Sequence, residues 1–122
     1  MKKIYVAGPM TGMEHLNFDA FDIARDFLQD HGWVAVSPAD LTRISRGWGK
    51  YPPADAIEEL QTHAMTIEVR WEVILMDLVA LSACEAIYML VGWENSKGAR
   101  VEKALADFLG LTVIYELGAE HE

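Results

Sequence analysis

The stretch Lys3-Ile4-Tyr5-Val6-Ala7-Gly8 decides the predicted fold, because it is an almost unbroken apolar run rich in β-branched and aromatic residues. Similar runs follow at Trp33–Ser37, Glu85–Val91 and Thr112–Glu116. Apolar runs that do not alternate with polar residues are typical of strands buried on both faces of a parallel sheet. The sequence therefore predicts a parallel sheet that is covered by helices on both sides.

Apolar residues at helical spacing follow the first and the third of these runs. We expect Asn17 to cap the earlier helix and Gly32 to end it. In the later helix, Ser96 is the expected cap and Gly110 the expected end. The stripe of this helix that we expect to face the core consists of Val101, Ala104, Leu105 and Phe108.

The segment between the second and third runs is less regular. Its glycines and prolines predict a loop over residues 38–53, and helical patterns predict helices at Ala54–Met65 and Val69–Ala83. The element order predicts an α/β fold: a three-layer doubly wound (Rossmann/flavodoxin-like), mostly parallel sheet of four or five strands, with strand order 2-1-3-4. Ligands of such sheets bind at the carboxyl ends of the strands where the order reverses, here between strands one and three.

Length and charge narrow the class of protein. The chain has 122 residues, which fits a single domain over residues 1–122. Ten basic and 19 acidic residues give a net charge of −9, which argues against binding to polymeric nucleic acid or an anionic membrane. One cysteine cannot form an internal disulfide, and no apolar run is long enough for a leader or a membrane span. We therefore expect a soluble, cytoplasmic protein.

Small and polar residues follow two of the predicted strands. The first strand continues into Gly8-Pro9-Met10-Thr11-Gly12, where glycines either let the backbone approach a ligand or simply form a tight turn. The third continues into a polar loop that opens a helix, where Ser96 either contacts a phosphate or sugar hydroxyl or serves only as a cap. Both segments belong to the predicted binding edge.

Three ionisable residues are candidates for chemistry. Glu102 follows the start of the last helix, where it is either an ionised nucleophile or a solvated charge that offsets the helix dipole. Asp77 is the only charge in Val73–Ala83, and is either at a water-facing edge or a buried general acid with a raised pKa. Tyr5 either packs in the core or takes part in the site. The four histidines and one cysteine lack metal-ligand spacing, so we predict neither a metal nor a cofactor.

These motifs, taken together from Lys3 to about Tyr115, resemble the nucleoside 2-deoxyribosyltransferase superfamily, especially its short phage and prophage members. The resemblance rests on Ile4-Tyr5-Val6-Ala7-Gly8-Pro9, on Arg70 with Asp77-Leu78, and on the loop Glu94-Asn95-Ser96-Lys97-Gly98-Ala99 that precedes Glu102.

The resemblance implies cleavage or transfer at the N-glycosidic bond of 2′-deoxynucleosides or their 5′-monophosphates. It makes Glu102 the nucleophile, Asp77 the acid that protonates the leaving base, and Tyr5 the residue that positions Glu102. It assigns Ser96 to the 5′ group, and Gly8 and Gly98 to the pocket wall. It also implies a homo-oligomer.

The chain departs from the nucleotide-hydrolysing branch of that superfamily in one respect. The turn Pro9-Met10-Thr11-Gly12 lacks the arginine that helps to hold phosphate there, which leaves Lys97 or Arg100 as the substitutes. Two alternatives stand beside the enzyme. One is a non-catalytic module that binds or senses nucleotides in the same cleft, and the other is an interaction protein that has kept the fold without the site.

Overall fold

The computed structural model describes the backbone of residues 2–62 and 67–119, and the side chains of residues 2–58 and 74–119. Four parallel strands form its sheet, in the order β2-β1-β3-β4. The strands are β1 (Lys3–Ala7), β2 (Val34–Val36), β3 (Ala86–Met89) and β4 (Thr112–Tyr115). The predicted α/β class, the parallel sheet and the 2-1-3-4 order are confirmed.

In the described part of the chain, five α-helices connect and cover these strands. They are α1 (Phe18–Asp30), α2 (Pro38–Arg46), α3 (Ala54–Thr62), α4 (Ile67–Ser82) and α5 (Lys97–Leu109). The predicted helix ends agree to within a few residues, except that Met65 lies outside the described residues. None of the helices in the described part of the chain is long and apolar enough to cross a membrane.

The sheet separates two cores, because successive residues of a strand point to opposite faces. One core contains Ile4 and Val6 of β1 together with Phe18, Phe21, Ala24 and Leu28 of α1. The other contains Tyr5 and Ala7 of β1 together with Leu81 of α4 and Ala99 and Ala106 of α5. Helix α1 therefore lies on one side of the sheet, and α4 and α5 lie on the other.

The loop predicted over residues 38–53 is wrong in its first half, which forms α2. Ser37 caps this helix by accepting a hydrogen bond from the Ala39 N–H at 3.2 Å, and Pro38 occupies the first turn. Ion pairs that sequence spacing does not reveal hold α2 to α1: both terminal nitrogens of Arg43 donate to the Asp22 carboxylate at 2.8 Å. Asp40 accepts from Arg43 at 2.9 Å and from Arg25 at 2.8 Å, which completes a partly buried four-residue network.

Asn17 stands at the N-cap position of α1 but does not act as predicted. Its side chain makes no capping hydrogen bond and donates instead to the Pro9 carbonyl at 2.9 Å. His15, Leu16 and Asn17 all have positive φ, between 49° and 64°, a rare conformation for side-chain-bearing residues. The Asn17 bond therefore ties this left-handed turn to the loop that follows β1.

Of the four residues of α5 predicted to face the core, Leu105 packs against it, but the other three are exposed because the opposite side of the helix is buried. Val101 is 47% exposed and Phe108 is 85% exposed, whereas Ala99, Glu102 and Ala106 face the sheet. Small side chains let α5 pack closely on the strands, and this leaves room for one carboxylate among them. The predicted ends of α5 are confirmed: the Ser96 hydroxyl accepts from the Ala99 N–H, and Gly110 is left-handed.

Replacing Gly8 by alanine is expected to destabilise the protein by about 1–3 kcal/mol, because a Cβ there would lie 2.7 Å from the Leu90 Cβ. Gly98→Ala is the matched control, since its Cβ meets no described atom within 4 Å and alanine favours helices. Urea unfolding of both variants checks this. Equal midpoints for Gly8→Ala and the wild type would contradict the close packing of these two strand ends.

Candidate functional site

A hydrogen bond between β1 and α5 forms the centre of the site. The Tyr5 hydroxyl donates to Glu102 Oε2 at 2.5 Å, although the two residues are 97 positions apart in the chain. Tyr5 has no exposed surface, and Glu102 is only 5% exposed. A bond this short and this buried is typical of a hydroxyl that donates to an ionised carboxylate.

Asp77 lies in the same layer, between the sheet and the helices. It is 8% exposed, and its Oδ1 has no hydrogen-bond partner among the residues that the structure describes. A buried carboxylate oxygen without a donor favours the protonated acid. The structure thus brings together the three ionisable residues that the sequence singled out: Tyr5 from β1, Asp77 from α4 and Glu102 from α5.

Burial controls the titration of this trio. It raises the pKa of Asp77 to about 7 and that of Glu102 to about 8. The Tyr5 hydrogen bond lowers the pKa of Glu102, and the Asp77 charge raises it. Burial, followed by the two carboxylates, raises the pKa of Tyr5 well above its ordinary value, so Tyr5 remains a donor.

The two carboxyls titrate as a pair because the charge of one disfavours ionisation of the other. Since the two pKa values are raised to about 7 and about 8, the pair keeps at least part of its protons near neutral pH. The Tyr5 donor favours the charge on Glu102, and the unpartnered Oδ1 favours the proton on Asp77. Loss of one proton leaves the pair with one carboxylate and one carboxylic acid.

Open space adjoins Gly98, which lies on the N-terminal side of Glu102. Gly98 precedes Glu102 by four residues and so lies one helical turn away on the same side of α5. A Cβ built on Gly98 would meet no described atom within 4 Å. The place of Gly98 in a pocket wall stays a prediction.

The loops that follow β1 and β3 meet at this edge of the sheet. Gly8 is packed against Leu90, and a Cβ on Gly92 would lie 3.4 Å from the Pro9 side chain. Thr11 and Gly12 are exposed at the tip of the first loop, where Gly12 has a φ of 84°. Gly8 is therefore required for the close packing of this turn. The substrate-binding roles of Gly8, Pro9, Thr11 and Gly12 stay predictions.

Ser96 caps α5, which is the purely structural role of the two that the sequence allowed. Its hydroxyl accepts from Ala99, so its hydrogen remains able to donate to a ligand at the helix N-terminus. Lys97 and Arg100 are exposed, whereas Glu102 occupies the buried side of α5. They are therefore poorly placed to hold a phosphate beside Glu102.

Sequence reasoning missed the residues that support the loop after β3. The Trp93 indole N–H donates to the Ala119 carbonyl at 3.1 Å, and the Val91 N–H donates to the Glu116 carboxylate at 2.9 Å. These bonds fasten the segment after β4 against the loop that leads to Ser96. Glu116, a polar residue directly after β4, is the sequence feature that could have indicated the contact between this segment and the loop after β3. Among the side chains of residues 2–58 and 74–119, no group of three or more His, Cys, Asp or Glu could hold a metal ion.

The sequence pattern of a family described as a domain of unknown function, DUF4406, matches residues 2–115. The chain belongs to the DUF4406 family. Comparison with curated proteins found no match. The match to DUF4406 includes all four strands and the trio of Tyr5, Asp77 and Glu102, so the candidate site lies wholly within the DUF4406 domain.

Replacing Asp77 by asparagine is expected to reduce the loss of stability at alkaline pH. The folded-state pKa values of the pair lie above those of the unfolded chain, so the unfolded chain releases its protons first. The free energy of unfolding of the wild type therefore falls as pH rises from the unfolded-state pKa values to about 8, where it levels off, and the pair does not affect it below the unfolded-state values. At pH 9 the variant is expected to melt about 5 °C higher than the wild type.

Thermal melts between pH 5 and pH 9 check this expectation, with exposed Glu94→Gln as the control. The control is expected to follow the wild type throughout. Parallel melting profiles of Asp77→Asn and the wild type would show that Asp77 does not carry a raised pKa.

Proposed function

We propose that this protein cleaves or transfers the N-glycosidic bond of 2′-deoxynucleosides or their 5′-monophosphates. The observation that carries the proposal is the Tyr5–Glu102 hydrogen bond with Asp77 beside it. A hydroxyl-bound carboxylate and a second, protonated carboxyl are the two groups that glycosidic chemistry needs. The resemblance to nucleoside 2-deoxyribosyltransferases assigns the same roles to the same three residues.

In the first step, a Glu102 oxygen bonds to C1′ of the deoxyribose as the bond from C1′ to the base nitrogen breaks. The electron pair of the broken bond stays on the base, which takes a proton from the Asp77 carboxyl. Tyr5 holds Glu102 in position and stabilises its charge before the attack. In the second step, water or another base attacks C1′, the bond from C1′ to Glu102 breaks and releases the carboxylate, and the proton of the attacking group returns to Asp77.

In this proposal the sugar lies in the open space beside Gly98, next to the start of α5. The helix dipole there favours an anionic 5′ group, and the Ser96 hydroxyl is able to donate to it. Lys97 and Arg100 lie on the other side of the helix, so charge recognition by side chains is weak in the described part of this edge. Nucleosides and nucleotides are therefore both included in the proposal.

A module that binds nucleotides without turnover is the second candidate. The observation in its favour is the enclosure of the trio, because Glu102 and Asp77 expose only 5% and 8% of their surfaces to a reacting sugar. It predicts that Glu102→Ala still binds ligand, and that the wild type forms no product.

We further propose that the protein acts in the cytoplasm, as expected for a reaction on free nucleosides, and that it forms a homo-oligomer. Exposed large apolar side chains on two helices support the oligomer. They are Leu75 and Val79 on α4 and Val101, Phe108 and Leu109 on α5.

Replacing Glu102 by alanine is expected to lower the release of free base by about a thousandfold or more, because the nucleophile is lost. Chromatography of incubations with the four common deoxynucleosides and their 5′-monophosphates, with and without a second base, measures this. Glu94→Ala is the matched control and is expected to keep full activity. A new nucleoside formed from the second base would identify a transferase.

The pH dependence of kcat/KM of the wild type is expected to be bell-shaped, rising through about pH 7 and falling through about pH 8, since only the singly protonated pair is active.

Equal release of base by the wild type and by Glu102→Ala would refute the proposed nucleophile. Binding without product would favour the second candidate.

Replacing Gly98 by leucine is expected to abolish both ligand binding and turnover without loss of stability. The leucine side chain fills the open space one turn from Glu102, and leucine is well tolerated in helices. Calorimetric titration with a nucleoside that the wild type turns over, together with a thermal melt, checks both parts. Full activity in a folded Gly98→Leu protein would place the ligand elsewhere.

A further inference from the structure

Helix α5 presents an apolar stripe to the outside of the molecule. Val101, Ala104 and Phe108 follow one another at helical spacing and are exposed, on the side opposite to Ala99, Glu102 and Ala106. Helix α4 packs beside α5 and adds exposed Leu75 and Val79. We call this outer surface of the two helices the α4–α5 face.

The described part of this face is positively charged, although the chain carries a net charge of −9. Lys97 and Arg100 are exposed on the outer side of α5, next to the apolar stripe. Asp107 is the acidic residue exposed on α5, and it is bound by Lys103 at 2.7 Å. The exposed surface of α5 is therefore apolar with a basic border.

Helix α1 presents the complementary surface on the other side of the sheet. Ile23 is 69% exposed and Phe27 is 49% exposed, beside the exposed carboxylates of Asp19, Asp26 and Asp30. Arg25 pairs with Asp26 but is itself largely covered, so the surface remains acidic. We call this surface the α1 face.

We propose that the α4–α5 face of one copy of this protein docks on the α1 face of a second copy. Each face offers apolar side chains at its centre, and their charges are of opposite sign, which favours this pairing over contact between two like faces. The proposal specifies how the homo-oligomer is built and does not depend on the glycosidic chemistry.

The placement of the two faces determines the kind of assembly. Helix α1 covers one core and α5 the other, so the faces lie on opposite sides of the sheet. In a twofold dimer, the α4–α5 face of each copy would have to contact the α1 face of the other at the same time, and faces on opposite sides of the molecule cannot do so. The contact is head-to-tail, and it leaves one free face at each end of a dimer, to which further copies add.

Two substitutions, each disabling one face, test the proposal by sedimentation. Ile23→Asp disables the α1 face and Phe108→Lys disables the α4–α5 face; both side chains are largely exposed, so the fold is preserved. The wild type is expected to grow in mass with concentration and to shrink at high salt. Each variant alone is expected to be monomeric, and an equimolar mixture is expected to form a one-to-one dimer through the two intact faces.

A pair that changes only charge provides a second check. Asp30→Lys and Arg100→Glu are each expected to weaken self-association, and their mixture is expected to recover it. Self-association of Ile23→Asp at wild-type strength would overturn the proposal in favour of contact between two α4–α5 faces. A wild type that is monomeric at all concentrations, or a mixture of Ile23→Asp and Phe108→Lys that stays monomeric, would also overturn it.

Discussion

The burial of the Glu102 carboxylate between the sheet and α5 is the constraint on which the site depends. Such a group is costly to bury, and the Tyr5 hydroxyl is its described hydrogen-bond donor. For this bond to form, β1 must place Tyr5 on the α5 side of the sheet and α5 must approach closely. The small residues Ala99 and Ala106 on the inner side of α5 make that approach possible.

The same constraint explains why the candidate site lies on one side of the sheet. The α1 side is filled with Phe18, Phe21 and Leu28, and among the described residues its buried cluster contains Tyr88 but no carboxyl group. The other side combines smaller side chains with two carboxyls and a tyrosine. The α1 side is therefore packed mainly by apolar contacts, while the other side buries two carboxyl groups whose pKa values are raised to about 7 and about 8.

The strands and their order were predictable because continuous apolar runs leave few alternatives to a parallel sheet. The inner face of α5 was not, since Val101 and Phe108 satisfy the helical period as well as the small residues do. Helix α2 was missed for a different reason: its attachment to α1 comes from Arg43 and Asp22, which are 21 positions apart. Likewise, spacing suggested Tyr5, Asp77 and Glu102 singly, but no spacing rule indicates that Tyr5 and Glu102 share a hydrogen bond.

The outer strands of the sheet are short, and this shapes how the protein meets other chains. Strand β2 has three residues and β4 has four, so each edge exposes few unpaired backbone groups. A strand from another chain can form few backbone hydrogen bonds with such a short edge. This protects the parallel sheet from the open-ended addition of strands that is seen in fibrils. Recognition by other molecules must then come from side chains and loops, where individual substitutions are able to tune it without remaking the sheet.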